Sequence, residues 1–399
     1  MMLTEPAQLA WDTILQKPTR GIPTFMLHVM AHSHLERLAG APEGTYRQNP
    51  DETYLAAQRA IGTCVLDQYL ARNPLTMTSH GFDPALGIRP PPVGGLDYTP
   101  VDIKSARVEQ SAAGRTLILN EMAIGSPEAV VEHLERFVFP RIEKDIAEFD
   151  ADRRVKEIIA RETGLQARIG PDFLKSGYGF IYFPYLYYSI YGYDLYFMAY
   201  ALYPEVMEKH FRLQADYAEL NNRAAERAYR EANLPPLFRL DHDMAGSRGT
   251  LCSMKSLERL WFPHFRRSLE PLLNSDVRLI WHCDGNLMEM APRLLDVGIR
   301  GFQGFQYEDG MDYARICALK AKDGGDLLIV AGVSVMTTLP FGAPVDVKAE
   351  LAWLVEHGPE TGLFLTASST ITPETSWENL HTLIEGIRHY REHGRAKML

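Results

Sequence analysis

Cysteine is scarce in this chain. Cys64, Cys252, Cys283 and Cys317 are the only four in 399 residues, and none belongs to a Cys-x-x-Cys pair. That spacing excludes a disulfide framework and fits reduced thiols in a cytoplasmic protein. Neither GxxxxGKS nor GxGxxG occurs, so no nucleotide-phosphate loop is expected. Positive charge is short as well. The formal net charge is −10 and no basic patch stands out, which argues against a nucleic-acid partner. Long apolar runs are missing too. The greasiest stretch, 178–203, contains Pro184, Gly192 and Asp194 and is crowded with tyrosine rather than leucine, so a membrane span is not expected. The opening MMLTEPAQLAWDTIL carries acids and lacks a basic region followed by an apolar core, so it does not read as a signal peptide. There is no repeat with a period of about 20 to 50 residues and no low-complexity linker, and residues 1–399 are expected to form one domain.

What is present is ordinary globular composition organised around one stretch, 276–308 (DVRLIWHCDGNLMEMAPRLLDVGIRGFQGFQYE). The apolar run 277–281 predicts a buried strand that ends in His282, Cys283, Asp284 and Gly285. A helix follows and stops at Gly298. A second apolar strand, 299–307, leads into Glu308 and Asp309. A strand–helix–strand unit of this length implies a parallel sheet, with both polar clusters at strand C-termini on one sheet edge.

The rest of the chain extends the pattern. Apolar runs predict parallel strands at 24–30, 75–79, 178–183, 237–241, 277–282, 299–306, 327–333 and 362–366, with helices between them. Eight such units are the accounting of an α/β protein with a single (β/α)8 TIM barrel. Residues 3–20 predict an N-terminal helical extension, and 52–70 an amphipathic helix. Residues 83–97 are a Pro/Gly-rich loop. Alternation over 101–108 and 116–122 predicts an inserted β-hairpin, an excursion over about 98–122.

The strand ends carry the chemistry. Asp241 and Asp243 follow one strand, His282 and Asp284 the next, and Glu308 the one after. One imidazole and two carboxylates can form an open three-ligand metal site. Alternatively, without a metal, a carboxylate crowded by others keeps its proton near neutral pH and acts as a general acid, or pairs with His282. Asp243, His282 and Glu308 are the candidate catalytic residues. Strand alternation turns Cys283 away from the cleft, as a small core residue. Arg239 and Arg248 are the nearest cations able to clamp an anion. His80, Tyr178, Asp241 and Arg248 are candidate substrate-binding residues, and the tyrosines of 185–203 suit a pocket for a flat or amphipathic ligand. His32 and His34 sit just past the first strand, at the expected edge of the site.

These residues resemble the uroporphyrinogen decarboxylase superfamily. The matching segments are LDHDMAG, GTLCS, HCDGN, YEDGMD, AGV and ITPETSWENL, strongest from about residue 205 onward. The resemblance implies a TIM-barrel enzyme, either a corrinoid-dependent methyltransferase or a decarboxylase. The methyltransferase branch binds zinc through a His-x-Cys turn, a Glu at the next strand end and a Cys after the last strand. That pattern falls on His282, Asp284, Glu308 and Ser369, so His and Glu match while both cysteines are replaced. The metal ligands implied are His282, Asp284 and Glu308, an oxygen-rich set for a divalent metal such as zinc. Ser369 joins the candidate substrate-binding residues. The decarboxylase branch has an arginine-rich segment after the first strand, where this chain has HVMAHSHLERL with Arg37 alone. The resemblance therefore implies methyl transfer from a small methylated substrate, aromatic compounds included, to a corrinoid protein or thiol. Metal-free decarboxylation of uroporphyrinogen or a smaller acid is the alternative. It also implies a small-molecule substrate, a corrinoid protein partner and a homodimer.

Overall fold

The computed structural model describes residues 3–78, 81–82, 96–111 and 114–398. At its centre is a five-stranded sheet in the order Leu363–Ala367, Leu328–Val333, Gly301–Gln303, Arg278–His282, Leu237–Asp241. Every pairing in it is parallel. Parallel neighbours require a crossover between them. Helices supply it: Met254–Leu260 and Phe262–Leu273, then Ala291–Val297, Tyr313–Cys317 and Pro344–His357. All six residues of Leu328–Val333 are buried, as expected of a strand covered on both faces.

Register decides what the sheet presents at its C-terminal edge. His282 is the partner of Asp241 on one side and of Gln303 on the other. Leu240 and Trp281, one residue earlier, are likewise partners and face the opposite way. There Trp281 packs edge-on against Trp261 and Phe265, on the helices that cover the sheet. Cys283 is buried and its sulfur accepts from the Met244 amide at 3.2 Å. All four cysteines are free and buried.

Beyond the sheet, short parallel contacts continue the pattern. The Gly177 amide donates to the Leu237 carbonyl at 2.9 Å. Leu174–Lys175 pairs in parallel with Val65–Leu66. The Met26 amide donates to the Val65 carbonyl at 3.0 Å, and the Phe25 amide to the Leu365 carbonyl at 2.9 Å.

Several expected elements differ. Residues 24–30 form isolated bridges at Thr24, Phe25 and Val29 rather than a continuous strand. The helix expected over 52–70 ends at Ile61, because Gly62 adopts φ 84°, and Val65–Leu66 then pairs in parallel. The strand expected at 75–79 is instead Met77–Thr78, paired antiparallel with Gly81–Phe82. The strand expected at 178–183 lies a few residues earlier, at Leu174–Lys175, and 178–183 is irregular chain, buried from Gly179 onward. The excursion is a three-stranded antiparallel sheet, Arg107–Ser111, Gly114–Leu119 and Met122–Ile124. Helix Glu5–Ile14 is the N-terminal extension, and its last turn is tied to the sheet by Arg278, which donates to the Ile14 carbonyl. Among the described residues, no helix is long and apolar enough to cross a membrane.

Candidate functional site

Asp241, Asp243 and His282 gather at the C-terminal ends of two neighbouring strands. One donor atom from each lies within 4.8 Å of the other two. The His282 Nε2 is 3.9 Å from Asp241 Oδ1 and 3.9 Å from Asp284 Oδ1. Those separations are too long for hydrogen bonds. Asp241 and Asp243 are nevertheless oriented by their neighbours. Asp241 Oδ2 accepts from the Tyr178 hydroxyl at 2.8 Å and from Arg239 at 2.9 Å, which leaves Oδ1 facing His282. Asp243 Oδ1 accepts from the Asp284 amide at 2.8 Å. The tyrosine-rich segment braces the same strand end from behind: Tyr185 donates to the Asp241 carbonyl and Tyr188 to the Asp243 carbonyl.

Burial and charge pull the acids apart. Burial alone would raise the Asp241 carboxyl, but His282, the Arg239 guanidinium and the Tyr178 hydroxyl outweigh it and hold the group below the usual carboxylate range. Asp284 goes the other way. Burial, with Asp243 and Asp241 close by, raises its carboxyl although His282 opposes the shift. Two buried polar atoms here lack any partner, His282 Nδ1 and Asp284 Oδ1. Behind Asp241, Arg239 also donates to Asp67 Oδ2 at 2.5 Å, so one guanidinium bridges two buried carboxylates.

A cavity of about 170 Å³ opens in front of Arg239, Asp241 and His282. His28, Asp67 and Ser369 also line it. His28 is buried and neutral: its pKa is lowered to about 4 by burial, against the pull of Asp67. Its Nε2 accepts from the Asn73 amide at 2.7 Å, while Nδ1 has no partner.

The residues singled out from sequence fall unevenly around this centre. Asp241, Asp243 and His282 are together, Asp284 stands beside them, Tyr178 touches Asp241, and Ser369 lines the cavity. Glu308 is not in the group. The strand before it ends at Gln303, five residues early, and Glu308 is exposed on the turn Tyr307–Asp309. Arg248 is exposed in the turn between Ala245–Gly246 and Gly249–Thr250, and Arg239 is the cation at the site. His80 lies outside the described residues. His32 and His34 are bound to the carbonyls of Pro74 and Thr375, which gives them anchoring roles. None of the tyrosines of 185–203 lines this cavity; Tyr185 and Tyr188 support the strand end instead. Sequence reasoning missed His28 and Asp67. The signal for Asp67 was an acid directly after the apolar triplet CVL, hidden by the longer helix expected there.

No protein-family model and no curated protein matches the sequence. Among solved structures, the chain is similar to a methyltransferase from Methanosarcina mazei, with 16% identity, coverage of 98% of this chain and 99% of that one, and a TM-score of 0.51. It also aligns with a B12-independent methionine synthase from Shewanella sp. W3-18-1, at 10% identity over 94% of each chain, with a TM-score of 0.42. The first likeness, at that identity, is one of fold alone, and the second carries no weight.

Proposed function

We propose that this chain is a (β/α)8-barrel enzyme that transfers a methyl group from a small methylated substrate to a corrinoid protein or a thiol. The contacts at 24–26, 65–66 and 174–177, which run between Leu237–Asp241 and Leu363–Ala367, support a closed ring. The observation that carries the function is the gathering of Asp241, Asp243 and His282 at the mouth.

The donor set fits a divalent cation. Two ligands on one zinc ion at about 2.0–2.2 Å stand about 3.3–3.6 Å apart in a tetrahedron, close to the 3.9 Å between His282 Nε2 and Asp241 Oδ1. The partnerless carboxylate oxygen of Asp284 supports the same fit. With one nitrogen and only oxygens besides, the set favours a harder ion than a thiolate site does. A bound ion would act as a Lewis acid on the leaving heteroatom of the methyl donor. The protein's own groups supply the rest. Asp284 stands beside His282 with its carboxyl raised by burial, a further polar group at the mouth. Arg239 and Tyr178 fix Asp241 so that it offers a single oxygen. Ser369 and His28 offer polar contacts to substrate across the cavity. Glu308 has no part in this scheme. Exposed Met336 and Phe341, just beyond the end of Leu328–Val333, are apolar surface on the rim where a corrinoid partner would approach.

Asp284 also favours a second reading, metal-free decarboxylation, in which its proton quenches the carbanion left by carbon dioxide. One assay separates the two. Purified protein is mixed with cob(I)alamin and a panel of methanol, methylamines and methoxyaromatics, and methylcobalamin is followed by its visible spectrum. Methyl transfer that needs a divalent ion and is lost in His282→Ala is expected. No transfer from any donor, together with chelator-insensitive carbon dioxide release from a carboxylic acid panel, would replace the first reading with the second.

A further inference from the structure

A second cavity lies at the opposite end of the strands and has the opposite charge. It measures about 490 Å³ and is lined by Arg266, Arg267, Arg300 and Lys322, with only Glu270 and Asp323 as acids. His282 and Arg278 are the two ends of one five-residue strand, so this cavity sits at the strand starts, away from the centre described above. Four cations against two acids is unusual local charge in a chain of net charge −10.

The cations are not all satisfied. Arg267 is held by Asp216 at 2.7 Å and Glu219 at 3.3 Å. Asp323 is taken by Arg300 at 2.6 Å and by the Gly325 amide. Among the described residues, no carboxylate pairs with Arg266 or Lys322, and both are exposed. Arg300 Nε is buried without any acceptor. A buried charged donor with no partner is costly, and a native structure normally supplies one. These donors come from three separate segments. Leu273, Val277 and Val297 give the same cavity an apolar wall.

We propose that this cavity binds a phosphate-bearing small molecule, its phosphate held by Arg266, Arg300 and Lys322 and its organic part resting on the apolar wall. Phosphate offers several strong acceptor oxygens in divergent directions, which suits donors that arrive from three segments. The volume lies within the range of about 300–1,000 Å³ typical of small-molecule pockets.

Isothermal titration of the full chain with phenyl phosphate, at fixed ionic strength, tests the proposal, with benzoate as the carboxylate control. One saturable site per chain for phenyl phosphate and none for benzoate at equal concentration is expected. The double variant Arg266→Ala, Lys322→Ala should bind about tenfold more weakly or worse. A control that removes the same charge elsewhere, Lys156→Ala with Lys348→Ala, should bind as wild type does. If the double variant fails to fold, Arg266→Gln alone is read in its place, with weakening again expected. Absence of saturable binding to wild type, equal affinity in all variants, or benzoate binding as tightly as phenyl phosphate would overturn the proposal.

Discussion

Gly304 illustrates how single residues set this centre. Its φ of 86° belongs to glycine, and a Cβ there would stand 2.5 Å from His282 Nδ1. Gly304→Ala is therefore expected to cost about 1–3 kcal/mol of stability and to displace the imidazole. Thermal melting and a zinc titration check both effects, and a variant unchanged in both would show that His282 is not held from that side. His210 is a residue of another kind. It is fully buried among Phe139, Tyr187 and Phe211, its Nε2 lies 3.1 Å from the Gln214 amide nitrogen, and burial lowers its pKa from 6.5 to about 3. Below pH 6.5 the unfolded chain binds a proton here that the folded chain refuses. Stability from this group is thus complete above that pH and is lost as pH falls toward about 3. Urea unfolding at pH 7 and pH 5 should show wild type losing about 2 kcal/mol more than His210→Gln. Equal losses would contradict the assignment.

At the scale of elements, the strands that carry the centre were legible in the sequence, and the early ones were not. Residues 237–241 and 277–282 end where their apolar runs end, so Asp241 and His282 were placed correctly by pattern alone. Val65–Leu66 and Leu174–Lys175 are two residues each, too short for any periodicity, and longer neighbouring runs took their place. Glu308 went astray for a related reason. The run 299–307 stays apolar after the hydrogen-bonded strand has stopped, because Gly304 turns the chain at a positive φ that hydropathy does not register. Side chains help to hold the short elements. Lys175, on one of them, is paired with Glu162 at 2.9 Å with both groups almost wholly buried. Lys175→Met would leave buried Glu162 with Arg161 as its remaining cation, 3.0 Å away, and should cost about 3 kcal/mol in chemical denaturation. Glu162→Gln combined with Lys175→Met should recover most of that loss. A single variant as stable as wild type would mean that the pair does not hold the element.

At the scale of the whole molecule, the cavity draws on residues far apart in the chain. His28 and Asp67 come from its first fifth, Arg239, Asp241 and His282 from its second half, and Ser369 from near its end. The first and last strand segments meet around this space, joined by hydrogen bonds that include Phe25 to Leu365 and Met30 to Ile371. The acids on this surface outnumber their cationic partners, and the proposed ion is what would balance them. The direct test is to count bound metal by elemental analysis after dialysis against zinc, comparing wild type with His282→Ala and with Asp241→Asn. One ion per chain in wild type and markedly less in both variants is the expected result. No retained ion in wild type, or equal retention in all three proteins, would contradict a metal centre at Asp241, Asp243 and His282.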